Sequence, residues 1–260
     1  MDRTDLLEVA TEAARLGGAI LQDWAGRFTP REKSPANLVT EADLASEKAI
    51  FELISSKFPD HRFLGEEGLL RNEGNSPYRW IIDPLDGTSN YVHKFPYYAV
   101  SIGLECDGEL ILGVIYDPNR DEMFTAIQGE GAKVNGQKIE VSVIDELSAA
   151  MCMASLPIKA SRENKAVRRF LEVLEAAQTV QRTGSAALNL CAVACGRIDS
   201  FWSTSLKPWD MAAGVLIVRE AGGKVTTCED QEFDVNAPNM LASNGTSLHA
   251  ELSARLQYAE

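Results

Sequence analysis

Two carboxylates three residues apart, Asp83 and Asp86, stand in the run Trp80-Ile81-Ile82-Asp83-Pro84-Leu85-Asp86-Gly87-Thr88. Trp80 to Ile82 predicts a short buried strand, and Pro84 and Gly87 predict a break after it. Pro84 fixes φ between the two acids, so both are expected to point out of one tight turn beyond the strand's carboxyl end. Gly87, Thr88 and Ser89 add backbone N–H groups of the kind that hold a phosphate. Carboxylates repel phosphate, so acids and an anion cradle share a turn only with hard cations between them. All-oxygen ligands of this type suit Mg²⁺. The chemistry implied is metal-assisted phosphoryl transfer; the competing reading of the short pattern is an ordinary turn, since Asp, Pro and Gly are common turn residues.

Other polar residues stand where local structure alone would explain them. Gly65-Glu66-Glu67-Gly68 follows a predicted strand at Arg62 to Leu64 and reads by itself as a solvated acidic loop. Asp210 falls in the first turn of a predicted helix with Trp209, Ala213, Leu216 and Ile217 on its apolar face, where the helix dipole favours an acid without any function. Thr40-Glu41-Ala42-Asp43 has capping-box spacing, and Ser185 in Gly184-Ser185-Ala186-Ala187 reads as an N-cap.

Taken whole, Asp83-Pro84-Leu85-Asp86-Gly87-Thr88-Ser89-Asn90 closely resembles the first signature of the inositol monophosphatase family of Mg²⁺-dependent, lithium-sensitive phosphatases. Gly65-Glu66-Glu67 matches that family's Gly-Glu-Glu motif. Trp209-Asp210-Met211-Ala212-Ala213-Gly214, with Glu220-Ala221-Gly222-Gly223 after it, matches the second signature. The resemblance runs from the first helix to beyond Ala242. It implies an α/β (α+β) fold, the layered α/β/α/β/α sandwich of the inositol monophosphatase and fructose-1,6-bisphosphatase type, commonly homodimeric. It also implies hydrolysis of a small polyol or sugar phosphate.

Carried over to this chain, the resemblance gives Glu66, Asp83 and the carbonyl of Leu85 to one Mg²⁺. Asp83, Asp86 and Asp210 go to a second, with Asp83 bridging, and a third, weaker ion sits near Glu66. Glu66 then activates the nucleophilic water, Thr88 orients it with Asp43 as partner, and Glu67 and Lys33 support the site. Asp86, Gly87, Thr88, Ser89 and Asp210 face the substrate, and Gly184, Ser185 and Ala186 are candidate contacts for its ring hydroxyls. One position departs from the pattern. Many members that hydrolyse inositol phosphates carry Glu seven residues before the Asp of Trp-Asp, where this chain has Ser203. Inositol phosphate as the physiological substrate therefore does not follow. Histidinol phosphate is a rival substrate, and a regulatory binding protein on the same fold is the alternative of a different class.

The 260 residues are 45% hydrophobic, enough for a large core. The net charge of −13, with no basic cluster, argues against nucleic acid and anionic membranes as partners. Five cysteines without a Cys-x-x-Cys pair read as reduced core residues, and no transmembrane stretch or signal peptide is visible, so a cytoplasmic location is expected. Apolar residues at three- and four-residue steps predict a helix over 5–25, then a basic-flavoured loop from Gly26 to Pro35, then a second helix from Thr40 to Phe58. Asp107-Gly108 predicts a hairpin between Tyr98–Cys106 and Glu109–Tyr116. Residues 1–145 are expected to form two helices on a largely antiparallel sheet carrying the metal-site acids. Residues 146–260 alternate strands and helices and are expected to supply substrate contacts and the last ligand, Asp210.

Overall fold

A computed structural model describes residues 2–29, 31–34, 37–71, 75–157 and 160–258. The chain begins with α1 (Arg3–Trp24), β1 (Arg31–Ser34), β2 (Asn37–Val39) and α2 (Glu41–Lys57). Then come β3 (Arg62–Gly65), β4 (Leu70–Arg71), β5 (Tyr78–Asp86), α3 (Thr88–Val92), β6 (Ala99–Cys106), β7 (Glu109–Asp117), β8 (Glu122–Ile127), β9 (Ala132–Val134) and β10 (Gln137–Lys138). The rest is β11 (Met151–Ala154), α4 (Lys165–Leu174), β12 (Thr179–Gln181), α5 (Ala186–Ala194), β13 (Ser200–Ser203), α6 (Pro208–Glu220), β14 (Lys224–Thr226), β15 (Met240–Ser243) and α7 (Ser247–Tyr258).

These elements stack in five layers. α1 and α2 cover one face of an eight-stranded sheet ordered β10-β9-β8-β7-β6-β5-β3-β4, antiparallel except where β3 meets β5. α5 and α6 fill the space between that sheet and a five-stranded one ordered β12-β11-β13-β15-β14, and α4 and α7 close the far side. Three apolar clusters fill the four interfaces, the one around α5 and α6 serving two of them: Ile50, Ile54, Trp80 and Ile82 lie between α1, α2 and the large sheet. Ile81, Ala99, Ile115 and Ala213 lie between the sheets. Trp202, Leu241, Leu248 and Leu252 lie under α7. Strands read two ways, as Ile81 and Ile82 show, because successive side chains face opposite layers.

α6 sits unusually close to the large sheet. Gly103 and Gly113 face each other across β6 and β7. A Cβ on Gly103 would lie 2.8 Å from Ala212 Cβ, and one on Gly113 would lie 2.5 Å from the Ala213 carbonyl oxygen. Two missing side chains on the sheet and two alanines on the helix thus set the depth at which α6, and Asp210 in its first turn, approaches β5.

Two local expectations are corrected. The segment expected as a loop from Gly26 to Pro35 contains β1, which pairs antiparallel with β2, since Arg31 and Glu32 find partners in Val39 and Leu38. The strand expected to stop before Asp83 instead runs on through Pro84 to Asp86. The hairpin at Asp107-Gly108 forms as expected, both residues having positive φ, 52° and 88°.

Candidate functional site

The acids come together because of how β5 crosses Pro84. Asp83 pairs with Ser101 and Asp86 with Ala99, so three steps along β5 answer two along β6. Residues three apart on a regular strand point to opposite faces. The extra residue of this bulge restores them to one face, the face of Ser101 and Ala99, which is turned towards α6. Pro84 suits the bulge because it has no N–H to leave unpaired. Ser101 Oγ donates to the Trp209 carbonyl at 3.3 Å, which pins the start of α6 over the bulge. Asp210 follows in the next position, its Oδ2 accepting the Lys207 N–H at 2.7 Å. One oxygen each of Asp83, Asp86 and Asp210 lie within 4.8 Å of one another.

Burial makes this convergence costly. Burial pushes Asp83 well above the usual carboxylate range, and the charges of Glu66, Asp86 and Asp210 push it further. Burial raises Asp86 to about 6, while the Ser185 hydroxyl and the Ala187 and Ala186 amides oppose the shift. Asp210 is raised to about 8 by burial and then by the charge of Asp86, with the Lys207 amide opposing. Glu66, half-buried on the turn after β3, stands outside the close triad, yet its charge is felt at all three acids. Three converging oxygen donors, Asp83 and Asp86 buried and Asp210 half-buried, that resist ionising together are what a hard divalent cation would relieve.

Around the triad, the predicted residues other than Lys33 take the following places. Asp43, wholly buried, does two things with two oxygens: Oδ2 accepts the Thr40 N–H at 2.9 Å in the capping box, and Oδ1 lies 3.4 Å from Thr88 Oγ1. The two readings of Asp43 as cap and as partner of Thr88 are therefore compatible. Burial, then the Glu66 charge, raises its carboxyl, while the Thr40 bonds lower it. Thr88 Oγ1 also donates to the Leu85 carbonyl at 3.2 Å, and the Leu85 amide donates to Asp83 Oδ1 at 3.0 Å. Gly87 has φ of 97°, which a side chain would strain, and a Cβ there would sit 3.0 Å from the Tyr97 carbonyl. Ser89 and Gly184 are exposed, and Glu67 is half-buried. Lys33 lies in β1, with its side chain outside the described residues.

Ser185, Ala186 and Ser203, expected as substrate contacts, all have hydrogen-bond partners within the chain. Ser185 Oγ donates to Asp86 Oδ2, the Ala187 amide to the same oxygen at 2.8 Å, and the Ala186 amide to Asp86 Oδ1 at 3.3 Å. The start of α5 thus grips Asp86 through these three groups. Ser203 is fully buried at the end of β13, its Oγ accepting the Ser205 N–H at 3.3 Å. Asn90, unassigned from sequence, ties the two halves: its Nδ2 donates to the Tyr97 carbonyl at 2.7 Å and the Thr183 carbonyl at 2.8 Å. Ser46 and Glu47 were also missed. Their signal was available, since Asp43, Ser46 and Glu47 put three polar residues on the helix face that continues into the apolar Ile50 and Ile54.

A cavity of 410 Å³ elsewhere, lined by Tyr97, Arg120, Phe124, Met153 and Arg197 among others, includes none of the triad. Its arginines are already paired, Arg120 with Asp117 and Arg197 with Glu122. The five cysteines are free thiols, and among the described residues no helix is long and apolar enough to cross a membrane.

Known proteins resemble this chain along its length. The model of the inositol monophosphatase family matches residues 2–259. An inositol-1-monophosphatase of Synechocystis sp. is 41% identical over 96% of this chain and 88% of its own length. A protein of Pasteurella multocida named Nus factor SuhB is 40% identical over 85% of this chain and 84% of its own. Among solved structures, the inositol monophosphatase of Anabaena (Nostoc) sp. superposes with a TM-score of 0.89 at 39% identity, covering 99% of this chain and 97% of that one.

Proposed function

The chain belongs to the inositol monophosphatase family of phosphoric monoester hydrolases, and from that premise we propose that it is a Mg²⁺-dependent phosphatase of a small polyol or sugar phosphate. The observation that carries the reading is the convergence of Asp83, Asp86 and Asp210 on one point, all oxygen donors with carboxyls raised by burial and mutual charge. This donor set fits Mg²⁺. Asp83, Asp86 and Asp210 would hold one ion; Glu66, Asp83 and the Leu85 carbonyl would hold another, and a third would lie near Glu66. Bound there, the cations supply an activated water for in-line attack on phosphorus and offset charge on the leaving oxygen.

The chain's own groups orient that chemistry. Thr88 Oγ1, steadied by Asp43 and the Leu85 carbonyl, positions the attacking water, and Glu66 takes part in activating it. The amides of Gly87, Thr88 and Ser89 face the phosphate. Asp210 and Asp86 border the substrate, and the exposed backbone at Gly184 is the contact proposed for a ring hydroxyl. Ser185 and Ala186 act through Asp86. Glu67 and Lys33 are supporting residues.

Ser203 bears on the substrate by what it does not offer. A carboxylate there would accept from one ring hydroxyl, a bond worth about 1.5–3 kcal/mol, or roughly ten- to a hundredfold in selectivity. A buried serine supplies no such acceptor, and a broad substrate profile follows. The test is phosphate release from inositol 1-phosphate, glycerol 2-phosphate, histidinol phosphate and fructose 1,6-bisphosphate, with and without Mg²⁺. Expected are Mg²⁺-dependent release, inhibition by Li⁺ and Ca²⁺, and comparable kcat/KM for inositol 1-phosphate and glycerol 2-phosphate. Full turnover in excess EDTA would defeat the metal reading, and a strong preference for inositol 1-phosphate would defeat the account of Ser203.

A homodimer is proposed from the family, with sedimentation as its check. The relative named Nus factor supports a second reading, a regulatory role on the same fold alongside hydrolysis. A hydrolytically dead variant that keeps its fold would separate the two in cells.

A further inference from the structure

The start of α2 places Asp43, Ser46 and Glu47 on one helix face at spacings of three and four, and all three are buried. The same face continues into Ile50 and Ile54 in the core. Each polar residue reaches a different part of the chain that carries the site acids. Asp43 meets Thr88, as described. Ser46 Oγ donates to the Pro84 carbonyl, inside the bulge, at 3.2 Å. Glu47 Oε1 accepts the Glu67 N–H at 2.9 Å. A carboxyl buried on an apolar helix face is costly unless it is bonded, so neither helix propensity nor core packing accounts for Glu47.

Gly65 shows how closely the fit is made. A Cβ at this position would overlap Glu47 Oε1 and lie 2.9 Å from Leu69 Cβ. The Gly65 amide donates to the Leu69 carbonyl at 2.7 Å, and the Glu66 amide donates to the Ile82 carbonyl at 3.2 Å. The turn that carries Glu66 is therefore closed on itself, bonded to β5 on one side and backed by Glu47 on another.

We propose that Glu47 is a positioning residue whose carboxyl, admitted by the missing side chain at Gly65, fixes the Glu66 turn relative to Asp83 and Asp86 so that Glu66 can ligate a cation. Ser46 steadies the other half of the site from the same helix. The inference rests on the reading of Glu66 as a metal ligand. Partners of this kind, one bond removed from a ligand, usually change metal affinity by about ten- to a hundredfold.

The experiment is Mn²⁺ binding to the full-length, chelator-stripped protein, followed by electron paramagnetic resonance, with phosphate release measured in parallel. Glu47→Ala should weaken Mn²⁺ binding by about tenfold or more. Its kcat should be largely restored at saturating metal, with little change in KM for the substrate. Glu47→Gln keeps an acceptor oxygen at the same reach and should bind Mn²⁺ much as the wild type does. Gly65→Ala should reproduce the loss by displacing the carboxyl, and the double variant should be no worse than Gly65→Ala alone, because both changes act on one contact. Unchanged binding in Glu47→Ala, or equal losses in Glu47→Ala and Glu47→Gln, would overturn the proposal. If Glu47→Ala does not fold, Glu47→Gln and Gly65→Ala decide it: near-normal binding in the first with weakened binding in the second supports the proposal, and any other pairing overturns it. Glu66→Gln separates the two layers of the argument. Weak binding there with normal binding in Glu47→Ala removes only the positioning role, whereas normal binding in Glu66→Gln removes the ligand assignment and the positioning role together.

Discussion

Replacing Asp210 by Asn should stabilise the metal-free protein at pH 8. Burial first, and the charge of Asp86 second, raise the Asp210 carboxyl from 3.8 to about 8. A carboxyl with a raised folded pKa holds its proton more tightly in the native state. That contribution is whole below the unfolded pKa of 3.8 and is lost as pH rises through about 8. A span of about four units at 1.36 kcal/mol each bounds the loss for Asp210 alone at roughly 6 kcal/mol. Asp83, Asp86 and Asp210 repel one another and share their protons, so removing one carboxyl recovers only part of this, about 2–3 kcal/mol. Asn keeps an acceptor for the Lys207 amide, so the start of α6 is preserved. At about 2–4 °C per kcal/mol for a chain of this size, Tm at pH 8 should rise by roughly 5–10 °C. The gap should narrow towards pH 5, where the wild-type cluster retains its protons. Differential scanning fluorimetry in excess EDTA across pH 5–9 measures it. Added Mg²⁺ at pH 8 should raise Tm of the wild type more than that of the variant. Parallel Tm curves across this pH range, or a less stable variant at pH 8, would refute the electrostatic account of the triad.

Three further outcomes are expected. Asp86→Asn should lower turnover by at least about a hundredfold, since it removes charge from a site driven by electrostatics; near-normal turnover in the purified, folded variant would take Asp86 out of the mechanism. Thr88→Ala should lower kcat more than it raises KM, because orienting a water matters in the transition state and little in ground-state binding. A change in KM alone would make Thr88 a substrate contact instead. Gly113→Ala puts a Cβ within 2.5 Å of the Ala213 carbonyl oxygen, so α6 must move, at a cost of about 1–3 kcal/mol. Turnover should fall with it as Asp210 is displaced, and a stable, fully active Gly113→Ala would show that α6 does not need this close approach.

What the sequence determined by itself is local. The acidic residues, the capping box at Thr40, the Asp107-Gly108 hairpin and the alternation of strands and helices after Ala150 are all set by residues within a few positions of one another. Short-range propensity, period and turn chemistry are legible in a linear string for that reason. The motif resemblance added the layered fold and the grouping of the acids. Three things were decided only when distant segments met. Asp83 and Asp86 share a face because β6 pairs with β5 out of step by one residue, and a bulge belongs to two strands. Asp210 reaches them because Gly103 and Gly113 let α6 settle onto the sheet. Ser185 and Ala186 turned out to grip Asp86, Ser203 to be buried, and Glu47 to back the Glu66 turn, because the partner of a hydrogen bond and the depth of burial are set by packing. Desolvation works in the same way: an aspartate in a sequence carries an ordinary pKa, and only the packed layers around Asp83 and Asp210 turn it into a group poised for a cation.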